Sequence, residues 1–276
     1  MRLVKLAEVR VKCVEGRFFA YDDWRDRLFV PPAIIIIWLF VRLRLSAGFA
    51  SWLSGLVVMA GAWGLSQDNQ YWVLVGSFGY MLYYFLDYVD GGIARYNGKS
   101  GIGGQYLDWI IHVIAAVGTM AGLTVGAIRV TGIWLAPFGI MALIAASLTM
   151  ARFSMAWFAI CMERQQRVFK DAPLETSATF SPQPPKRLYA FIRRFSALLF
   201  HENYAIFLLP LLALCQLYIK NMPDFRVGLV LAGGTIYLYV MFSEVQRLAS
   251  KNYLDNAYNK LFSNARPDLP KDHFFG

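Results

Sequence analysis

The chain has 276 residues, of which 57% are hydrophobic, 16% aromatic and only 16% charged. An ordinary soluble domain is less apolar and carries about 25% charged residues, so this balance all but excludes a water-soluble enzyme. Mostly apolar stretches of about 18–25 residues recur, enough to cross a hydrocarbon core roughly 30 Å thick at about 1.5 Å per helical residue. The chain reads as an all-α, polytopic membrane protein.

In chain order, the first 30 residues mix Arg2, Lys5, Arg10, Lys12, Arg17, Arg25 and Arg27 with acids and scattered apolar positions, and no signal peptide is expected. Residues 30–43 (VPPAIIIIWLFVRL) are apolar, yet short and opened by two prolines. That pattern suits a segment lying in the membrane interface better than a span. Six spans are expected near 47–66, 71–95, 103–128, 132–160, 198–219 and 226–248. Residues 163–194 are rich in charge, Pro and Ser (TFSPQPPKR) and read as a loop with little fixed structure. The resulting division is an N-terminal cytoplasmic and interfacial segment at 1–45, a six-helix membrane domain at 46–250 and a cytoplasmic tail at 251–276. Cys13, Cys161 and Cys215 are too far apart for a CxxC pair and read as packing residues.

The net charge of +9 is distributed as in a membrane protein rather than a nucleic-acid binder. Of the 27 Lys and Arg, nine lie in residues 1–44, two (Arg95, Lys99) in a short connection, seven between 164 and 194, and five from Arg247 onward. The connections at 66–70, 128–131 and 220–226 together hold only Arg129, Lys220 and Arg226. By the positive-inside rule both termini and the 163–194 loop are expected to be cytoplasmic.

The chemistry concentrates where the second expected span meets the third. On a helix, Asp87, Asp90, Gly91, Ala94 and Arg95 fall at i, i+3, i+4, i+7 and i+8, which is one face. Gly104, Asp108 and His112 are spaced by four and share a face in the same way. An antiparallel hairpin would turn the two faces together, gathering three carboxylates and an imidazole at membrane depth. Carboxylates there are costly unless paired or metal-bound, and hard divalent cations need oxygen ligands of this kind. An ion-paired packing cluster is the alternative.

The string Asp87-x2-Asp90-Gly91-x2-Ala94-Arg95-x8-Gly104-x3-Asp108-x3-His112 resembles the signature of the CDP-alcohol phosphotransferase family. There is one departure: the family carries a fourth aspartate where this chain has His112. The stretch from Leu45 to Ser51 resembles another family segment, often with Asn where Gly48 stands. The resemblance covers about residues 30–250 and implies six transmembrane helices preceded by an amphipathic interfacial helix. It implies transfer of a substituted phosphate from a CDP-alcohol, such as CDP-diacylglycerol, to an acceptor hydroxyl with release of CMP, in phospholipid or related lipid synthesis. One of the two substrates would be a lipid, nucleic acid would not be a partner, and a homodimer stays open. By the same resemblance Asp87, Asp90 and Asp108 would ligate one or two divalent ions, Mg²⁺ or Mn²⁺. Gly91, Ala94 and Gly104 would leave room for the nucleotide, and Arg95 would face donor phosphate.

His112 stands open among three readings: a base for the acceptor hydroxyl, a metal ligand, or the mark of an inactive member. Neutral imidazole, with a reference pKa near 6.5, suits the first at pH 7, and its nitrogen suits Zn²⁺ or Mn²⁺ better than Mg²⁺. Arg152 in the fourth span, and His201, Glu202 and Asn203 opening the fifth, are weaker candidates for substrate contact. Tyr80, Tyr83, Tyr84 and Phe85 read as an interface belt and helix packing without chemistry. Two rival functions remain, an aspartate-rich intramembrane prenyltransferase and a noncatalytic lipid or nucleotide binder.

Overall fold

The computed structural model describes residues 5–14, 24–98, 102–165, 191–192, 194–195, 199 and 202–249, and among these every regular element is a helix. In chain order they are α1 (Leu6–Val14), α2 (Trp24–Arg42), α3 (Ala47–Leu65), α4 (Gln70–Tyr96) and α5 (Ile102–Thr131). A 3-10 turn at Ile133–Leu135 leads into α6 (Ala136–Gln165), followed by α7 (Glu202–Tyr218), α8 (Phe225–Ala232), a π-helical segment at Gly233–Tyr237 and α9 (Leu238–Ala249). Short polar residues set the starts. Ser46 Oγ accepts from the Phe49 amide at 3.1 Å, Asn69 Oδ1 from Tyr71 at 2.8 Å and Asp224 Oδ1 from Arg226 at 2.9 Å.

Four helical stretches are long and apolar enough to cross a membrane among the described residues: Ala47–Leu65, Tyr106–Thr131, Ile133–Met150 and Phe225–Ser243. Their outer surface matches, since Trp52, Leu56, Met59 and Trp63 form an exposed stripe on α3. Two segments differ in detail from the sequence expectation. α2 starts at Trp24, so Pro31 and Pro32 sit inside it. The carbonyls they leave without an intrahelical donor belong to exposed Arg27 and Leu28, which makes the interruption tolerable. The last expected span relaxes to π geometry across Gly233–Tyr237, where Gly234 lies so close to the backbone of Phe138 in α6 that a Cβ would sit 2.8 Å from the Phe138 Cα.

α3 is the central member, packing along both α4 and α5. Its contact with α4 is backbone against backbone. A Cβ on Gly64 would lie 2.8 Å from the Gly76 Cα, and one on Gly61 would lie 3.0 Å from the Gly76 carbonyl oxygen and 3.4 Å from the Gly79 carbonyl carbon. Gly61-x2-Gly64 on one helix thus faces Gly76-x2-Gly79 on the other, a small-residue crossing of the kind that lets membrane helices gain close packing. α5 meets α3 similarly at Gly122, where a Cβ would fall 3.0 Å from the Ala62 carbonyl carbon. Toward the other end of α5 the spacer is side chain: Leu107 lies over Gly48, and Ile111 over Gly55. The three helices are therefore clamped together at one end, and toward the other α5 is spaced from α3 by side chains.

The clamped end carries its own polar lock. Arg226, 1% exposed, donates from Nη1 to the carbonyls of Leu65 (2.8 Å) and Gln67 (2.6 Å) and forks from Nε and Nη2 onto Asp224 at 2.6–3.1 Å. Arg129 Nη1 donates to the Ser66 carbonyl at 2.9 Å. Two guanidinium groups thus satisfy three carbonyls at the C-terminus of α3, where the helix dipole also favours cations. Around this end stand the exposed rings of Trp63, Tyr71, Trp72, Trp134 and Tyr218. The aromatic girdle lies here and not at Tyr80, Tyr83 and Tyr84, which are buried against neighbouring helices. Replacing Arg226 by Leu leaves Asp224 and the carbonyls of α3 without their donor, and should cost about 3–5 kcal/mol, read as a lowered thermal midpoint in detergent. Burial acts to raise the Asp224 carboxyl, but the hydrogen bonds and charge of Arg226 outweigh it and hold the carboxyl below its ordinary value. Its stabilisation is therefore complete above the usual carboxylate range and is lost only as pH falls through that lower folded value. The Arg226→Leu variant should show no such acid-side contribution from Asp224.

Candidate active site

α4 and α5 each lie along α3 and touch one another sparingly. α4 contributes Tyr83, Asp87, Asp90, Gly91, Ala94 and Arg95, and α5 contributes Gly104, Asp108 and His112. Both helices run unbroken through these residues, so the three- and four-residue spacings keep each set on a single face.

The structure brings Asp87, Asp108 and His112 together, with one ligand-type atom from each lying within 4.8 Å of the others. His112 Nε2 is 3.4 Å from Asp87 Oδ1 and 3.6 Å from Asp108 Oδ1. Exposure rises from His112 (17%) through Asp87 (26%) to Asp108 (42%), so the cluster opens on the Asp108 side. Opposite ligands of one ion held at about 2.1 Å stand about 4.2 Å apart, and both distances fall inside that reach. Two carboxylate oxygens and one imidazole nitrogen suit a divalent cation, with the nitrogen leaning toward Mn²⁺ or Zn²⁺.

Asp90 is not one of the three that converge. It is buried, and Ser51 on α3 donates from Oγ to its Oδ2 at 2.7 Å. Arg95 folds back along α4, placing Nη1 3.2 Å from where a Gly91 Cβ would be, within electrostatic reach of Asp90 and Asp87. The space that Gly91 leaves is thus shared with Arg95, whereas Gly104 has nothing within 4 Å of its Cβ direction and is open. Ala94 is half-buried. α1 braces this part of α4: Cys13 Sγ donates to the Gly92 carbonyl at 3.5 Å, Tyr96 donates to Glu8, and Lys12 stands 4.7 Å over the Tyr96 ring. Burial pushes the Cys13 thiol up, against the opposing charge of Arg95, which fits a packing role.

Two contacts go beyond what the sequence reading identifies. Tyr83, fully buried, places its hydroxyl 2.5 Å from His112 Nδ1, and Ser51 holds Asp90. The signal for Tyr83 is its place one turn before Asp87 on the same face. The side chains of Arg152, Cys161, Glu202 and Asn203, together with His201, residues 166–190 and the tail at 251–276, lie outside the described residues.

The model of the CDP-alcohol phosphatidyltransferase family matches residues 46–213, which include every residue of the cluster and its Ser51 support. The chain belongs to the CDP-alcohol phosphatidyltransferase family. No curated protein matches it in sequence. The match begins at Ser46, the cap of α3, and leaves α1, α2, α8 and α9 outside. Family membership and the apolar helices together fit a membrane phosphotransferase. Asp87→Asn and Asp108→Asn should each weaken Mn²⁺ binding to the purified protein by at least about tenfold, because each removes a charged oxygen ligand. Calorimetric titration with Mn²⁺ in detergent measures this, and unchanged affinity in both variants would remove the cluster as a metal site.

Proposed function

We propose that the protein is an integral membrane transferase that moves a substituted phosphate from a CDP-alcohol donor, such as CDP-diacylglycerol, to an acceptor hydroxyl and releases CMP, in phospholipid or related lipid biosynthesis. The observation that carries this reading is the convergence of Asp87, Asp108 and His112 between α4 and α5 in a chain of this family. In this reading α3, α4, α5, α6, α7 and the α8–α9 pair are six spans and α2 is the interfacial helix. α4 has 27 residues, a length of about 40 Å, and its low hydropathy comes from the site's own charges. α7, with 17 residues, is at the short end of the spanning range. The Lys and Arg distribution supports cytoplasmic termini and a site opening to the same side.

Asp87, Asp90 and Asp108 are the residues that would hold one or two divalent ions, Mg²⁺ or Mn²⁺. Bound there, such ions offset the charge of the donor diphosphate and hold it in line for attack. Ser51 fixes the orientation of Asp90, and Arg95 pairs with a donor phosphate. Gly104 and Ala94 leave room for the nucleotide beside the helices, with Gly91 accommodating Arg95 as well. His112 takes the acceptor proton on Nε2 while the acceptor oxygen bonds to the phosphorus bearing the alcohol. The bond from that phosphorus to the bridging oxygen breaks, and the oxygen leaves with CMP.

Asp87→Asn and Asp108→Asn should abolish metal-dependent CMP release in folded protein, measured across CDP-diacylglycerol and small CDP-alcohols. His112→Ala should lower turnover by about 10² to 10⁴ with little change in donor affinity, and His112→Asp should recover part of the loss. A drop in metal affinity in His112→Ala would assign His112 as a ligand instead, a role that its place among the three converging atoms also allows. Release of inorganic diphosphate rather than CMP would point to prenyl transfer. Sidedness has its own test: a single cysteine at Ser181 should be labelled from the same side as one at the C-terminus, and labelling from opposite sides overturns the orientation.

A further inference from the structure

His112 stands between partners of different hydrogen-bonding capacity. Its Nε2 faces Asp87 and Asp108, which when ionised can only accept. Its Nδ1 faces the Tyr83 hydroxyl, which can donate or accept by rotating about its C–O bond. We propose that Tyr83 is the positioning residue for His112: its hydroxyl allows the imidazole proton to sit on Nδ1, leaving the Nε2 lone pair directed at the carboxylates and the space between them. The inference rests on the proposed role of His112 in phosphate transfer but holds whether Nε2 acts as base or as ligand, since either needs Nε2 without a proton.

With no cation between the carboxylates, the favoured neutral form has the proton on Nε2, pointing at Asp87 and Asp108, and Tyr83 donates to Nδ1. Once a cation lies among those oxygens, a proton on Nε2 is repelled and the Nδ1–H form is favoured. That form needs an acceptor at Nδ1, and the Tyr83 hydroxyl stands in place to supply one. The same hydroxyl then accepts. A backbone N–H in its place would hold Nδ1 unprotonated, and a carboxylate would hold it protonated. A hydroxyl serves both forms with no change in net charge. Tyr83 cannot easily swing aside, because its ring packs at 5.7 Å on Tyr80 and stands edge-on to the His112 ring at 5.9 Å and 84°.

Nitrogen-15 NMR of protein labelled at histidine and held in lipid nanodiscs reads the proton directly. The chain has three histidines, so the His112→Ala spectrum identifies the signals of interest. Saturating wild type with Mg²⁺ at fixed pH should move the proton from Nε2 to Nδ1. A proton that stays on Nε2 overturns the proposal without needing any variant. Tyr83→Phe keeps the ring contacts and removes only the oxygen. It should leave a mixture of tautomers under Mg²⁺ and lower kcat by about 10- to 100-fold, the usual effect of losing a partner that orients such a histidine, with donor KM changed less than about twofold. Wild-type kcat in Tyr83→Phe while His112→Ala is impaired would sink the role of Tyr83 alone. Unimpaired turnover in His112→Ala would instead remove the base reading and leave the NMR result to decide the tautomer.

Discussion

The backbone contact of α3 with α4 and α5 is the constraint on which the rest depends. Glycines at 61, 64, 76, 79 and 122 let the main chains approach to distances that a Cβ would forbid. In a lipid surround the hydrophobic effect does little to draw helices together, so close packing of this kind carries the association. The tight contacts lie at one end, and toward the cluster α5 is spaced from α3 by Leu107 and Ile111, while side chains of α4 and α5 meet at His112.

The cluster is then set by neighbours outside the signature itself. Asp90 is held by Ser51 from α3, His112 by Tyr83 from α4, and the last turns of α4 by α1. These supports come from three different helices. A change in any of them can misplace a carboxylate or an imidazole while the signature reads as intact.

Much of this is legible in the sequence. Apolar stretches mark the helices to within a few residues, and the four-residue spacing of Gly104, Asp108 and His112 puts the right faces of α4 and α5 together. What is not legible depends on partners distant in sequence. Tyr83 reads as packing because its chemistry appears only when α5 is laid beside it. Arg226 reads as a loop cation, because nothing local reveals that its targets are carbonyls at residues 65 and 67. Tyr80 and its neighbours read as girdle and helix packing together, since an aromatic run on one helix looks the same whether it faces lipid or other helices, and the structure keeps only the packing.

The lock at the clamped end has a consequence for how the molecule meets a membrane. Of the cations there, Arg226 is buried on main-chain carbonyls and Arg129 bonds the Ser66 carbonyl, while the rings of Trp63, Tyr71, Trp72, Trp134 and Tyr218 stand exposed. The opposite rim has Arg42, Arg44 and the basic α1. In a bilayer the first rim would meet headgroups chiefly through rings, whose insertion is indifferent to lipid charge, and the other through cations, whose attraction is not. Among the described residues, the response to anionic lipid should therefore be stronger at the rim of α1 and α2 than at the rim of rings.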